Sequence, residues 1–183
     1  EPRQIKVWAN VEAELAGPSS LMSLTANELA VQMSRGQVIG AQADGRAVLE
    51  SVERDTTRLL SGDTLDASFD EMGRIQSVEA QVNGQMRLEG GERLESHWIR
   101  NELTGAVSTG EDSVFHLGEY RLAGSYFVVQ QGDVITFRTE HPASIDMPGG
   151  SLHGGETEAQ FDPETRTLIR LVQNGDVEFV QDG

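Results

Sequence analysis

There is no cysteine in this chain and a single lysine, Lys6, among its 183 residues. The first absence excludes disulfides, thiolate metal sites and cysteine nucleophiles together. The scarcity of positive charge reaches further, because 14 basic against 30 acidic residues leave a formal charge of −16. A nucleic acid or an anionic membrane would have to be bound against the protein's own field, so neither is expected as a partner. No stretch approaches the roughly 18 to 20 consecutive apolar residues of a membrane helix. HExxH pairs, G-x-S-x-G elbows and EF-hand loops are also missing. A chain of this length is expected to form one domain, residues 1–183, with a core of its own. It opens on Glu1 rather than Met, which raises the expectation of a leader, an anchor or a longer chain upstream.

What is present is alternation. The clearest run sets Leu65, Ala67 and Phe69 against Thr64, Asp66, Ser68 and Asp70, the period of a half-buried strand. Similar runs carry Val78, Ala80 and Val82, then Met86 and Leu88, then Tyr126 and Val128, then Ile135 and Phe137, with Gly, Asn or Asp between them. Leu24–Met33 alternates through Leu29, Val31 and Met33 and reads as a strand. Ser51–Arg58 is polar and charged and reads as a connection with a turn near Asp55. Twenty glycines suit many tight corners.

The runs recur. Residues 24–50, 60–90 and 152–182 share the order strand, turn, strand, glycine, strand. Leu29, Val31 and Met33 correspond to Leu65, Ala67 and Phe69 and to Thr157, Ala159 and Phe161, with turns at Gly36, Gly73 and Asp162-Pro163. Val38, Ala41 and Ala43 match Ile75, Val78 and Ala80, and then Leu168, Leu171 and Gln173. After Gly45, Gly84 and Gly175 come Ala47 and Leu49, Met86 and Leu88, and Val177 and Phe179. Residues 93–147 follow the pattern only loosely. A unit of this size cannot bury its own apolar face, so the copies must stack.

These residues resemble the OstA-like repeat of the periplasmic lipopolysaccharide-transport proteins: an alternating strand, D-x-x-G, I-x-x-V-x-A, and a strand opening with N-G. The resemblance implies an all-β fold, a β-jelly-roll or β-taco of stacked strands around an apolar groove that shelters the acyl chains of lipopolysaccharide. It further implies a periplasmic location and end-to-end joining with other OstA-like domains through edge strands, with no cofactor. The implied ligand is lipopolysaccharide or a similar acylated glycolipid, and the chain would be a carrier rather than an enzyme. The aligned apolar positions of the two best repeats are Leu65, Phe69, Ile75, Val78, Met86, Leu88, Leu168, Leu171, Val177 and Phe179, and these are the candidates for acyl-chain contact.

Two apolar strand faces opposed about 10 Å apart make either a packed core or a slot for alkyl chains. Only 5% of residues are aromatic and several inward candidates are alanines, which leaves room. Each buried methylene contributes about 0.8 kcal/mol, so a few of them give affinity without hydrogen-bond readout. Two other classes stay open: a solid β-solenoid scaffold that binds proteins or glycans, and a β-helix enzyme acting on polysaccharide. His97, His116, His141 and His153 have no metal-ligand spacing, so no metal site is expected. "LHGGE" at Leu152–Glu156, "GEDS" at Gly110–Ser113 and "DPET" at Asp162–Thr165 read as turns. The arginines are scattered and form no evident cradle for phosphate, so recognition is expected to be of acyl chains, with the head group in solvent.

Overall fold

A computed structural model describes residues 3–16, 20–53, 56–88, 90–102 and 105–181. They form sixteen β-strands and no helix. Six are long: β1 (Arg3–Ala16), β2 (Ser20–Ser34), β3 (Gln37–Glu53), β4 (Thr56–Phe69), β5 (Ile75–Leu88) and β6 (Arg93–Glu102). Ten short ones follow: β7 (Ala106–Thr109), β8 (Ser113–Leu117), β9 (Tyr120–Gly124), β10 (Val128–Gln130), β11 (Ile135–Thr139), β12 (Ala143–Met147), β13 (Gly150–Gly154), β14 (Thr157–Phe161), β15 (Leu168–Gln173) and β16 (Glu178–Gln181).

Pairing is antiparallel throughout, and it shows that the long strands are bent. β1 to β5 each break register near the middle, at Trp8/Val11, Thr25/Glu28, Asp44/Ala47, Ser61/Thr64 and Gln81/Gly84. β6 then pairs β7 with one half and β8 with the other. From there the two halves are separate strands: β7-β10-β11-β14-β15 continue one wall and β8-β9-β12-β13-β16 the other. The result is one sheet folded along a line across its strands, with two facing walls. It does not close, since β1, β15 and β16 each have a single neighbour. This is the stacked-strand all-β architecture expected from the alternation.

The fold line has a backbone cause. Ala9-Asn10, Gly45-Arg46 and Val82-Asn83 all have positive φ, between 50° and 85°, and they sit at the bends of β1, β3 and β5. Residues in the left-handed region add a residue to one strand and turn it out of the pleat, which bends a strand without ending it. Gly45 needs its lack of a side chain twice over, for φ +85° and because a Cβ there would lie 2.8 Å from the Asn27 Cβ. Farther on, hydroxyl groups brace the fold line. Ser113 Oγ lies 2.8 Å from both Ser96 Oγ and Thr109 Oγ1, and the Phe127 N–H donates to Thr109 Oγ1 at 2.9 Å.

Val82 is the strained member, a β-branched residue at φ 55° with its side chain in solvent. A left-handed residue with a Cβ costs roughly 1–2 kcal/mol, partly offset by the greater backbone entropy of glycine. Val82→Gly is therefore expected to raise unfolding free energy by about 0.5–1 kcal/mol in urea titration. A loss of stability would show that the bend is not strained there.

Inside the fold, alternate residues of each wall line up across strands. On one wall an apolar row runs from Ala13 on β1 to Phe179 on β16 by way of Leu60, Met86, Phe115 and Ile145. On the other, Ile5, Val31, Ala41, Ala67 and Val78 align with Asn101, then Val107, Val129, Phe137, Ala159 and Leu171.

The three sequence repeats occupy equivalent places. Each runs along the β7-bearing wall, turns at its rim, returns, and crosses the fold line to the facing wall. The turns fall at Gly36, at Asp70–Arg74 and at Asp162–Thr167, as the alignment anticipates. One expectation is corrected. Ser51–Glu53 and Thr56–Arg58 are paired strand residues of β3 and β4, in register as Ser51↔Arg58, Val52↔Thr57 and Glu53↔Thr56, because the ladder is made by backbone groups and tolerates polar side chains; Asp55 lies outside the described residues.

Candidate functional site

The two walls do not meet evenly along the fold. Between β1 and β5 they stand apart around a cavity of about 210 Å³ that opens to solvent. Its β7-side wall carries Leu29, Val31, Ala41, Ala43, Leu65, Ala67 and Val78, with Phe69 and Ile75 toward the rim. Across from them lie Ala13, Met22, Leu24 and Leu49. Among the described residues that line the space, Glu14 alone is polar. The room comes from size: Ala41 and Ala67 are adjacent in register, where larger side chains would reach the facing wall. For scale, an enclosed apolar cavity of roughly 150 Å³ already holds a benzene-sized ligand.

From β6 onward the space is filled. Phe115, Phe127, Phe137 and Phe161 are fully buried there, and Phe127 meets Phe137 edge-on with ring centres 4.4 Å apart. Where Met86 and Leu94 face Val107 and Val129, only about 10 Å³ remains. The mouth of this half is also bridged from rim to rim. Arg166, on the β14–β15 turn, pairs with buried Glu92 of the β5–β6 turn at 2.5 Å, and Arg58 of β4 donates to Gln131 Oε1 at 3.2 Å. Tyr120 packs edge-on against Phe161. Asn101 stands at the change from open to filled, with a buried Oδ1 that has no partner.

The ten sequence-named residues are distributed unevenly over this geometry. Leu65, Phe69, Ile75 and Val78 line the open cavity together. Met86 and Leu88 lie at the small remnant space beside it. Leu168 and Leu171 pack against the filled core. Val177 and Phe179 do not reach the cavity: Val177 is on the loop before β16, and Phe179 is 56% exposed on an edge strand with no neighbour beyond it. The alignment pairs them with Met86 and Leu88, but in register Phe179 falls in the row of Met86, two residues away from its aligned partner, and β16 ends the wall. Sequence reasoning left Val38 and Leu49 of the first repeat out of the site, although they show the same alternation as the second, and passed over Met22 just before that repeat.

The polar stretches noted in the sequence serve the backbone. Gly110–Ser113 and Gly154–Glu156 are crossings of the fold line, where the Gly155 N–H donates to the Asn174 carbonyl at 2.9 Å. Asp162 accepts from the Glu164 and Thr165 N–H groups in the rim turn, and those backbone bonds hold its carboxyl below the usual range. Asp70 does the same for Met72 and Arg74, with the same depression. The histidines are apart from one another: His141 stacks on Tyr126 and His153 bonds Ser151. Among the described residues no cluster of His, Asp and Glu could hold a metal ion.

No family model, no curated protein and no solved structure matches this chain. The OstA-like resemblance therefore stands on its residues, and the cavity on its geometry.

On the outer face behind the cavity, Asp66 sits across from Glu79 and near Asp44. Partial burial first, and then those two carboxylates, raise its pKa above the ordinary 3.8. A carboxyl raised by folding contributes stability that is complete below its unfolded pKa and lost as pH rises through the folded value. Asp66→Asn should thus stabilise the protein at pH 7 by a few tenths of a kcal/mol, up to about 1, as expected for relief of a cross-strand like-charge pair. The gain should vanish in urea titrations below pH 3.8. A gain that persists in acid would assign it to packing instead.

Proposed function

We propose that this chain shelters the acyl chains of an amphipathic lipid, lipopolysaccharide or a similar acylated glycolipid, as a carrier in the manner of OstA-like transport domains of the periplasm. The observation that carries this reading is the open cavity between β1 and β5, apolar on both walls and left unfilled by the side chains of the described residues. A sheet that only needed a core would fill it, as this one does from β6 onward. Acyl chains suit such a slot because burial is non-directional and needs no hydrogen-bonding partners in the walls.

The test is crosslinking in cells with a photoreactive residue at Ala67, the register partner of Val78. Lipid adducts should form in the parent chain, persist when Glu79 on the outer face becomes Gln, and disappear when Val78 becomes Glu, since a charge in an apolar slot must be desolvated. Equal adducts in both variants, each verified as folded, would remove the groove as the site. The filled half favours a second role as a rigid scaffold there, and native mass spectrometry without co-purified lipid would leave that role alone.

The sheet edges suit end-to-end joining with like domains. Ile5 and Val7 are exposed on β1, and Ile169, Phe179 and Val180 on β15 and β16, each beside unpaired strand edges. We expect concentration-dependent self-association in sedimentation; a strict monomer that also fails to bind OstA-like domains would exclude the joining.

A further inference from the structure

Seven basic residues are paired with carboxylates: Lys6, Arg74, Arg93, Arg121, Arg138, Arg166 and Arg170. Arg3, Arg35, Arg46, Arg58, Arg87 and Arg100 form no ion pair with any described residue, and of these Arg3 and Arg35 line one concavity at the β1–β2 rim, together with Gln4, Ile5, Met33 and Gly36. Among the described residues that line it there is no carboxylate, in a chain where acids outnumber bases by about two to one.

The position of this pair is as telling as its charge. Arg3 has the same parity on β1 as Ile5 and Val7, whose register partners Val31 and Leu29 line the acyl cavity. Its own partner is Met33, which faces Val38 of the cavity on the next strand. Arg3 thus continues the inward row to the mouth of the groove. Arg35 follows Met33 in the tight β2–β3 turn, so its side chain springs from the same rim. Unlike lysine, each guanidinium offers a planar fork that matches phosphate oxygens bidentately.

We infer that Arg3 and Arg35 form a site for a phosphate monoester on the head of an acylated ligand, placed so that the chain runs from it into the cavity. This rests on the carrier reading and deepens it, giving the groove a polarity: head group at the β1–β2 rim, chain toward Val78. It departs from the expectation that the arginines are too scattered to meet a head group, because the fold brings two of them to one rim.

The test uses two probes with the same sixteen-carbon chain, palmitoyl lysophosphatidate and monopalmitoylglycerol, titrated into the purified chain at low and physiological salt. The parent protein should bind the phosphate-bearing probe about tenfold more tightly, with the preference shrinking as salt rises. Arg3→Gln with Arg35→Gln should remove that preference and leave the neutral probe unchanged, while Arg100→Gln on the outer face should change neither. Equal binding of both probes by the parent chain, or an undiminished preference in the double variant, would overturn the phosphate site and leave the acyl groove standing. Inorganic phosphate alone binding as tightly as the lysophosphatidate would overturn it too. If neither probe binds, the carrier reading fails and takes the site with it. Both arginines are exposed, so the double variant should keep its circular dichroism spectrum and unfolding midpoint.

Discussion

Phe137→Ala is expected to lower the unfolding free energy by about 3–5 kcal/mol, the range for removing a buried aromatic ring from a core that cannot collapse around the loss. Phe137 is fully buried, meets Phe127 edge-on, and lies between Val129 and Ala159 in register. The cavity so made would be apolar and enclosed. Phe69→Ala is the contrasting case: Phe69 is only partly buried, beside the open cavity, and its loss should cost less than half as much. Urea titration of both variants measures the difference. Equal losses would mean that the two halves of the fold are packed alike, against the contrast between filled and open halves on which the functional reading rests.

Ala67→Phe should do the reverse at the other end. A phenyl ring at this position projects into the 210 Å³ space between the walls, so it fills a void that is already there. Acyl binding is expected to fall by more than tenfold, because the chain and the ring compete for one volume. Stability should hold or rise by about 0.5–2 kcal/mol, the usual return from filling a cavity. The pairing of lost binding with retained stability is what separates this result from unfolding. Binding equal to the parent chain's would place the lipid elsewhere; a large destabilisation would mean that the walls cannot spare the room.

Much of the fold was legible. Leu65, Ala67 and Phe69 alternate with polar neighbours, and β4 is indeed half buried along those positions. The three aligned repeats fall on equivalent stretches of the folded sheet, although Phe179 shares a register row with Met86 rather than with Leu88, its aligned partner. The segment 93–147 looked loose because its strands are short and its fold-line crossing sets the hydroxyls of Ser96, Thr109 and Ser113 around Gly110. Gly45 and Gly84 were harder to read. They look like hairpin turns, but the chain does not reverse at either. It bends inside one continuous strand and carries on along the facing wall. A local pattern cannot tell a reversal from a bend, since both ask for a left-handed backbone or a missing side chain.

Local pattern by itself determined strand or not strand, which face of each strand is apolar, and where the rim turns lie, because these depend on side-chain alternation and on the conformations that Gly, Asn and Asp allow. Only the tertiary structure decided where the apolar faces touch. Leu65 and Leu171 look alike in the sequence, yet one borders open space and the other a packed core, because Ala41 and Ala67 lie next to the first and Phe137 and Phe161 near the second. Arg3 and Arg35, far apart in the chain, become neighbours only when β1 pairs with β2. Whether an apolar face is a core or a binding surface depends on what stands across from it, and that is a property of strands distant in sequence.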